Sequence, residues 1–319
     1  MRRIMIDEKL LTLIKDIAGD CNVRLDEPMK KHTTFRIGGA ADCFVTPETT
    51  EQIKQLILLL RENAVPYYVI GNGSNLLVSD EGFRGVIIQI YDKFNKHEFV
   101  HDDTLSAADK SNIVKIKVQA GMNMGRLGNI AQQNSLTGFE FASGIPGTIG
   151  GGVVMNAGAY GGELKDILVS ATVMDIDGNI SILNNDELEL GYRTSIIQKK
   201  SLIVLEAVIA LRTGDKDKIR ERMSELAAAR RDKQPLEFPS AGSTFKRPEG
   251  HFAGKLVQDA GFKGFAVGGA KVADKHAGFV VNTCNATAHD VIKLTDMISD
   301  KVFEMFGVRL ELEVKKLGF

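Results

Sequence analysis

Apolar residues recur at helical spacing across Met5–Ile17, between Asp7, Glu8, Lys9 and Lys15, and predict a first helix. A second helix is expected from Thr49 or Thr50, either of which can cap it, through Arg61 or Asn63, with Glu51 near its positive end. Asp42–Val45, Pro66–Ile70 and Gly85–Ile90 read as strands around it. This β-α-β-β order predicts a small mixed sheet.

The middle of the chain changes period. Val114, Ile116 and Val118 alternate with Lys115 and Lys117, the pattern of a half-buried strand. Ile167–Ile176, Ile180–Leu183 and Leu202–Leu211 look similar, and Asp177-Gly178 signals a hairpin. Asn123–Ser135 reads as a helix, and the polar run His97–Asn112 as an exposed loop. Asp215–Gln234 is a highly charged amphipathic helix ended by Pro235, a natural boundary. Helices follow at Ala253–Ala260, stopped by Gly261, and at Ala288–Phe306, stopped by Gly307 and capped by Thr287 and Asp290. The last strand, Val308–Val314, should put Arg309, Glu311 and Glu313 on one face.

Length and charge narrow the classes. A chain of 319 residues predicts two or three domains. A net charge of −1 gives no electrostatic case for nucleic acid or an anionic membrane surface. Cys21, Cys43 and Cys284 lie far apart without metal-ligand spacing, so no metal site is expected. They read as small buried or half-buried thiols in a reducing cytoplasm. Arg2 and Arg3 precede a stretch too broken by charges for a signal peptide. Apolar runs such as Leu56–Leu60 are too short to span a bilayer, so no membrane insertion is expected.

The candidate chemistry begins with glycine. Ser143-Gly144-Ile145-Pro146-Gly147-Thr148-Ile149-Gly150-Gly151-Gly152, followed by Asn156-Ala157-Gly158, makes main chain its working surface. Successive free N–H groups there would cradle a phosphate or pyrophosphate. Gly71-Asn72-Gly73-Ser74-Asn75 follows a predicted strand, but Leu76 occupies the place of the third glycine of a Rossmann fingerprint, and Leu76-Leu77-Val78 looks extended. Two such loops fit a dinucleotide gripped by a non-Rossmann fold.

Motifs in order along nearly the whole chain then become specific. They are Thr33–Asp42, Val69–Val78, Phe141–Gly151, Met155–Gly161, Gly191–Ser195, Ala241–Pro248 and Leu310–Val314. The chain resembles the UDP-N-acetylenolpyruvoylglucosamine reductases (MurB), in their shorter class lacking the tyrosine-loop insertion, because the interval between Arg193 and Ser243 is short. The resemblance implies an α+β protein: a two-part FAD-binding domain of the vanillyl-alcohol-oxidase type and a C-terminal α+β substrate-binding domain. The implied parts are 1–86 (completed by 308–319), 87–214 and 215–307. It also implies FAD as cofactor, NADPH as hydride donor and UDP-N-acetylglucosamine enolpyruvate as substrate, whose enolpyruvyl ether is reduced to a lactyl ether in peptidoglycan precursor synthesis.

By the same resemblance, Arg193 stabilises the charge developing beside the substrate carboxylate, Ser243 gives a proton to carbon, and Glu313 is the catalytic glutamate. The FAD contacts are Gly71, Asn72, Gly73, Ser74, Asn75, Ser143, Gly144, Ile145, Pro146, Gly147, Thr148, Gly150, Gly151, Asn156, Ala157 and Gly158. Lys233 and Arg247 are expected at the substrate diphosphate. The residue types suit these roles, since guanidinium binds carboxylate through two parallel bonds, and a well-placed neutral alcohol suffices for a strongly basic carbon. Taken alone, Arg193 reads more readily as an ion-pair arginine, Ser243 as a turn serine, and Glu311 and Glu313 as two solvated strand carboxylates that spacing does not separate. Only motif register favours Glu313. His276 is left off the catalytic list. Alternatives are another FAD oxidoreductase of this fold and a non-catalytic flavin or nucleotide-sugar binder.

Overall fold

A computed structural model describes residues 6–100 and 112–319. Its elements begin with α1 (Glu8–Ala18), β1 (Val23–Pro28), β2 (Ala40–Val45), α2 (Thr50–Glu62), β3 (Tyr67–Ile70), β4 (Leu76–Val78), β5 (Phe83–Gln89) and β6 (His97–Val100). Next come β7 (Ile113–Gln119), α3 (Met124–Gln133), β8 (Leu136–Thr137), α4 (Ile149–Met155), β9 (Gly158–Ala159), β10 (Gly162–Glu163), β11 (Leu168–Met174), β12 (Ile180–Asn184), α5 (Ile196–Lys199) and β13 (Ile203–Thr213). The chain ends with α6 (Lys216–Lys233), α7 (Ala253–Asp259), β14 (Ala266–Val267), β15 (Ala270–Val272), β16 (Val280–Asn282), α8 (Ala288–Phe306) and β17 (Lys315–Leu317).

Compactness groups these elements differently from the three-part motif reading. One unit comprises Met1–Arg24, Phe44–Asn72 and Ile87–Ala229; the other comprises Leu25–Cys43, Gly73–Val86 and Arg230–Phe319. The small mixed sheet is ordered β1-β2-β5-β3, and the division falls inside β1, β2 and β5.

In the first unit, α1 buries Leu10, Ile14 and Ala18, and packs on α2, which buries Ile53, Leu56, Ile57 and Leu60. Thr49 closes a capping box with Gln52, so the helix start expected from sequence forms there. The larger sheet is ordered β12-β11-β13-β7-β6, with β8 also on β13. In β7, Ile116 and Val118 are fully buried while Lys117 reaches Glu206 of β13 at 3.0 Å. The turn at Asp177-Gly178 is held by Asp175 Oδ1, which accepts the N–H groups of Asp177 and Asn179. The loop expected over His97–Asn112 is corrected at its start: His97–Val100 pairs with β7 along the sheet edge. All its side chains are exposed, so no apolar alternation betrays a strand held by main-chain bonds. Residues 101–111 of that expectation lie outside the described residues.

The second unit has its own core, in which Phe35, Leu77 and Phe245 pack with Leu256, Leu294 and Ile298. Helix α8 starts with a Thr287–Asp290 capping box and ends at Gly307 in the left-handed conformation. Asp80, distant in sequence, adds a second cap: its carboxylate accepts the N–H groups of Ala288 at 2.8 Å and His289 at 3.0 Å. Strand β17 pairs in parallel with β4. The expected strand Val308–Val314 is corrected to a single bridge at Leu312 followed by β17. Among the cysteines Cys43 is buried, but Cys21 and Cys284 are exposed rather than buried. Among the described residues, no helix is long and apolar enough to cross a membrane.

Candidate active site

Within the first unit, Gly71 and Asn72 meet the longer glycine-rich stretch. A Cβ on Gly71 would stand 2.3 Å from Thr148 Oγ1, so the loop lies directly on the entry to α4. Asn72 Nδ2 donates to the Pro146 carbonyl at 2.7 Å, and Gln89 Nε2 to the Gly71 carbonyl at 3.0 Å. Helix α4 packs on β13 and β7, and Gly150 permits this: a Cβ there would stand 2.8 Å from Ala120 Cβ.

The stretch is not, however, a run of free donors. Ile149 N–H goes to Met122 O, Gly150 N–H to Ala120 O, Gly151 N–H to Thr148 Oγ1 and Gly147 N–H to Ile145 O. Ser143 Oγ is also spent, on Glu140 O. The N–H groups of Asn72, Gly144 and Thr148 find no acceptor among the described residues, although Thr148 is only 2% exposed. Buried main-chain donors are ordinarily paired. A phosphate-bearing cofactor such as FAD fits these donors. Several of the glycines answer instead to close packing, a demand that composition does not distinguish from ligand binding.

At the other end of α4 lies the arginine. Gly191 and Thr194 exchange main-chain bonds at 3.1 and 3.3 Å, closing a tight turn with Tyr192 and Arg193 at its tip. Arg193 has φ +55°, a position that ordinarily goes to Gly or Asn. Such strain persists only where surroundings over-determine it. Ser195 Oγ and Gln198 Nε2 both donate to Val154 O, and Gln198 Nε2 also donates to Arg193 O. The half-buried guanidinium reaches Gly158 O at 3.5 Å and lies 5.3 Å from the Tyr192 ring centroid. Ala157 is buried, and Asn156 is 1% exposed with its side chain bonded within the unit.

In the second unit, main-chain bonds run from Glu313 N to Thr244 O at 2.9 Å and from Lys246 N to Glu311 O at 2.8 Å, with Phe245 bridged to Leu312. This pairing brings Ser243 and Glu313 onto adjoining segments. Thr244 is the anchor: it is 3% exposed, its N–H goes to Gly278 O, and its Oγ1 accepts from Val280 N. Gly242 has φ +77° with nothing near its missing Cβ, so conformation alone demands glycine there. Ser243 is exposed at the tip of this turn.

The two carboxylates that spacing leaves equivalent differ here. Glu311 is exposed and paired with Lys246 at 2.8 Å, whose hydrogen bond holds the Glu311 carboxyl below the usual carboxylate range. Glu313 is 9% exposed. Asn75 Nδ2 donates to the Glu313 carbonyl at 3.2 Å and Asn75 O accepts from Lys315 N–H. Part of the second glycine loop (Gly73, Ser74, Asn75) therefore joins the carboxylate segment. Lys233 is exposed at the end of α6, and Arg247, also exposed, lies over the Phe252 ring at 4.1 Å. Main-chain pairing sets Thr244, Phe245 and Lys246 beside Glu311, Leu312 and Glu313.

His276 supports the serine turn from behind. Its Nδ1 accepts from Gly278 N–H at 3.0 Å, and Gly278 O in turn holds Thr244 N–H. Burial pushes the imidazole below its ordinary 6.5, which favours the neutral ring this bond requires. Because the folded value is depressed, the stabilisation is present above the unfolded value and is lost as pH falls through the folded one. Lowering pH from about 8 to about 5 should therefore reduce the thermal midpoint of the wild type more than that of His276→Asn. Parallel midpoint-versus-pH curves would refute this.

Sequence reasoning passes over the residues that hold this machinery in place: Gln198, Thr244 and the long-range bond of Asn75 to Glu313. Their signal is absent from local pattern because each acts on a main-chain group of a distant segment.

With this geometry in hand, the relatives are informative. A family model described as UDP-N-acetylenolpyruvoylglucosamine reductase, C-terminal domain, matches residues 234–317, and one described as FAD binding domain matches residues 41–184. A UDP-N-acetylenolpyruvoylglucosamine reductase of Clostridium botulinum (strain 657 / Type Ba4) is 50% identical over 304 residues, 95% of each chain. One of Caldanaerobacter subterraneus subsp. tengcongensis is 46% identical over 318 residues, 100% of this chain and 99% of its own. The crystal structure of MurB from Thermus caldophilus superposes with a TM-score of 0.74 at 34% identity, over 92% of this chain and 98% of that one. The chain belongs to the UDP-N-acetylenolpyruvoylglucosamine reductase (MurB) family.

Proposed function

We propose that this chain reduces UDP-N-acetylglucosamine enolpyruvate to UDP-N-acetylmuramate with NADPH as reductant, as a cytoplasmic step of peptidoglycan precursor synthesis. Beyond family membership, the observation that carries this reading is the pairing of residues 244–246 with 311–313. It sets an exposed serine hydroxyl and a buried carboxylate on adjoining segments. FAD, when bound, supplies hydride transfer from NADPH to the methylene carbon of the enolpyruvyl group.

The chain's own residues then divide the remaining work. In this reading Gly71–Asn75, Ser143–Thr148, Gly150, Gly151 and Ala157–Gly158 form the cofactor site, with the N–H groups of Asn72, Gly144 and Thr148 as its donors and Gly150 serving the close packing of α4 on Ala120. Arg193 binds the substrate carboxylate and stabilises the negative charge that develops beside it. Ser243 Oγ–H gives a proton to the adjacent carbon, and Glu313, as the neutral carboxylic acid, donates a hydrogen bond to the same developing charge. Lys233 and Arg247 meet the diphosphate. The functional division 1–86 with 308–319, 87–214 and 215–307 is retained as part of this proposal.

The test is anaerobic. Adding NADPH to the yellow, FAD-loaded protein should bleach it, and the enolpyruvyl sugar nucleotide should restore the colour. Bleaching without restoration by that substrate would defeat the assignment.

A further inference from the structure

Asn156 ends helix α4 in the left-handed conformation, with φ +43°. The motif resemblance counts it among the cofactor contacts. Its side chain is otherwise engaged. Nδ2 donates to Glu163 Oε2 at 3.0 Å and to Gly191 O at 3.1 Å, and Oδ1 accepts from Lys165 N–H at 3.0 Å. Both amide hydrogens are used, and the residue is 1% exposed. This network admits one orientation of the amide: flipped, it would set Oδ1 against the Gly191 carbonyl and the Glu163 carboxylate, and Nδ2 against Lys165 N–H.

A helix cap alone would not need this side chain. The cap requires only the left-handed backbone and the Asn156 N–H, and glycine supplies both. The side chain instead ties α4 to two other segments. One is the β9–β10 pair, in which Glu163 lies opposite Gly158, the residue whose carbonyl meets the Arg193 guanidinium. The other is the Gly191–Thr194 turn, at the carbonyl that also accepts Thr194 N–H. Arg193 is thus approached from both sides, through its turn and through its guanidinium contact. A left-handed conformation is unfavourable for a non-glycine residue, and Arg193 holds one at φ +55°, so the turn needs such restraint to keep the arginine where it is.

From this geometry we infer that Asn156 is a positioning residue for Arg193, acting through Gly191 and Glu163 and not as a ligand of the cofactor. The inference rests on the proposed role of Arg193, and the experiment separates the two. Asn156→Gly keeps the left-handed backbone and deletes the side chain. Asn156→Asp keeps the shape and the acceptor for Lys165 N–H, but turns an acceptor toward Gly191 O and Glu163. The second variant serves if the first does not accumulate as folded protein.

With FAD-loaded protein, flavin absorbance is followed separately for reduction by NADPH and for reoxidation by the enolpyruvyl sugar nucleotide. Both variants should reduce within about threefold of wild type and reoxidise about 10- to 100-fold more slowly, the scale expected when a reacting group is displaced by an ångström. Amide hydrogen exchange across residues 191–198 should speed up in the same variants. In an Arg193→Ala background, Asn156→Gly should slow reoxidation no further. The inference is overturned by a wild-type reoxidation rate, by equal loss of both half-reactions with release of FAD, by unchanged exchange, or by a full additive loss in the Arg193→Ala background. If Arg193→Ala alone reoxidises normally, the arginine's proposed role falls, while the exchange measurement still judges the clamp.

Discussion

Ser243→Ala should leave flavin reduction by NADPH intact while reduction of the enolpyruvyl sugar slows by about 10²–10⁴-fold, the range for a positioned proton donor. The structure makes this substitution clean. The turn is held by its neighbours: Gly242 supplies the positive φ, and Thr244 carries the main-chain and hydroxyl bonds to Gly278, Val280 and Glu313. Ser243 Oγ makes no hydrogen bond among the described residues, so removing it strands no buried partner. The thermal midpoint should therefore stay within the small range typical of exposed substitutions. A serine is a weak acid, and the role depends on placement rather than acidity. Thr244 shows how placement is achieved, since it is fixed at N–H, carbonyl and side chain while its neighbour faces outward. Loss of both half-reactions, or a large fall in midpoint, would show that Ser243 is structural.

What is legible in the sequence and what is not divides along the range of the interactions. The capping boxes at Thr49 and Thr287, the alternation in β7 and the turn at Asp177-Gly178 depend on residues a few positions apart, and local pattern reports them. Strand β6 escapes because an edge strand with four exposed side chains has no apolar face. The Asp80 cap of α8 escapes because 208 positions separate donor and acceptor. The motif glycines are legible as a site, but their division of labour is not. Gly150 answers to Ala120 and its N–H is taken, whereas Thr148 N–H has no acceptor among the described residues. Asn156 carries the same ambiguity: in a motif it looks like a ligand, and only its bonds show the side chain turned to Glu163 and Gly191.

The pair Glu311 and Glu313 gives the second large effect, because strict strand alternation would make them equivalent. They are not equivalent, since regular pairing stops at Leu312 and the chain then turns into β17. The exposed, half-buried alternation of residues 308–312 breaks there, leaving Glu313 and Val314 both buried. Glu313→Gln should slow sugar reduction by about 10²–10³-fold, the loss seen when one group aimed at developing charge is removed. Flavin reduction by NADPH should be unchanged. Glu311→Gln should alter neither half-reaction by more than about twofold, because it removes one partner of an exposed, solvent-screened ion pair with Lys246. Glutamine keeps the size of the side chain, and the segment at 313 is held by main-chain bonds to Thr244 and Asn75 that the substitution leaves in place. A fold-change at Glu311 as large as that at Glu313 would mean that register and burial together had chosen the wrong carboxylate. A loss at Glu313 confined to NADPH oxidation would place its carboxyl at the reductant rather than at the sugar.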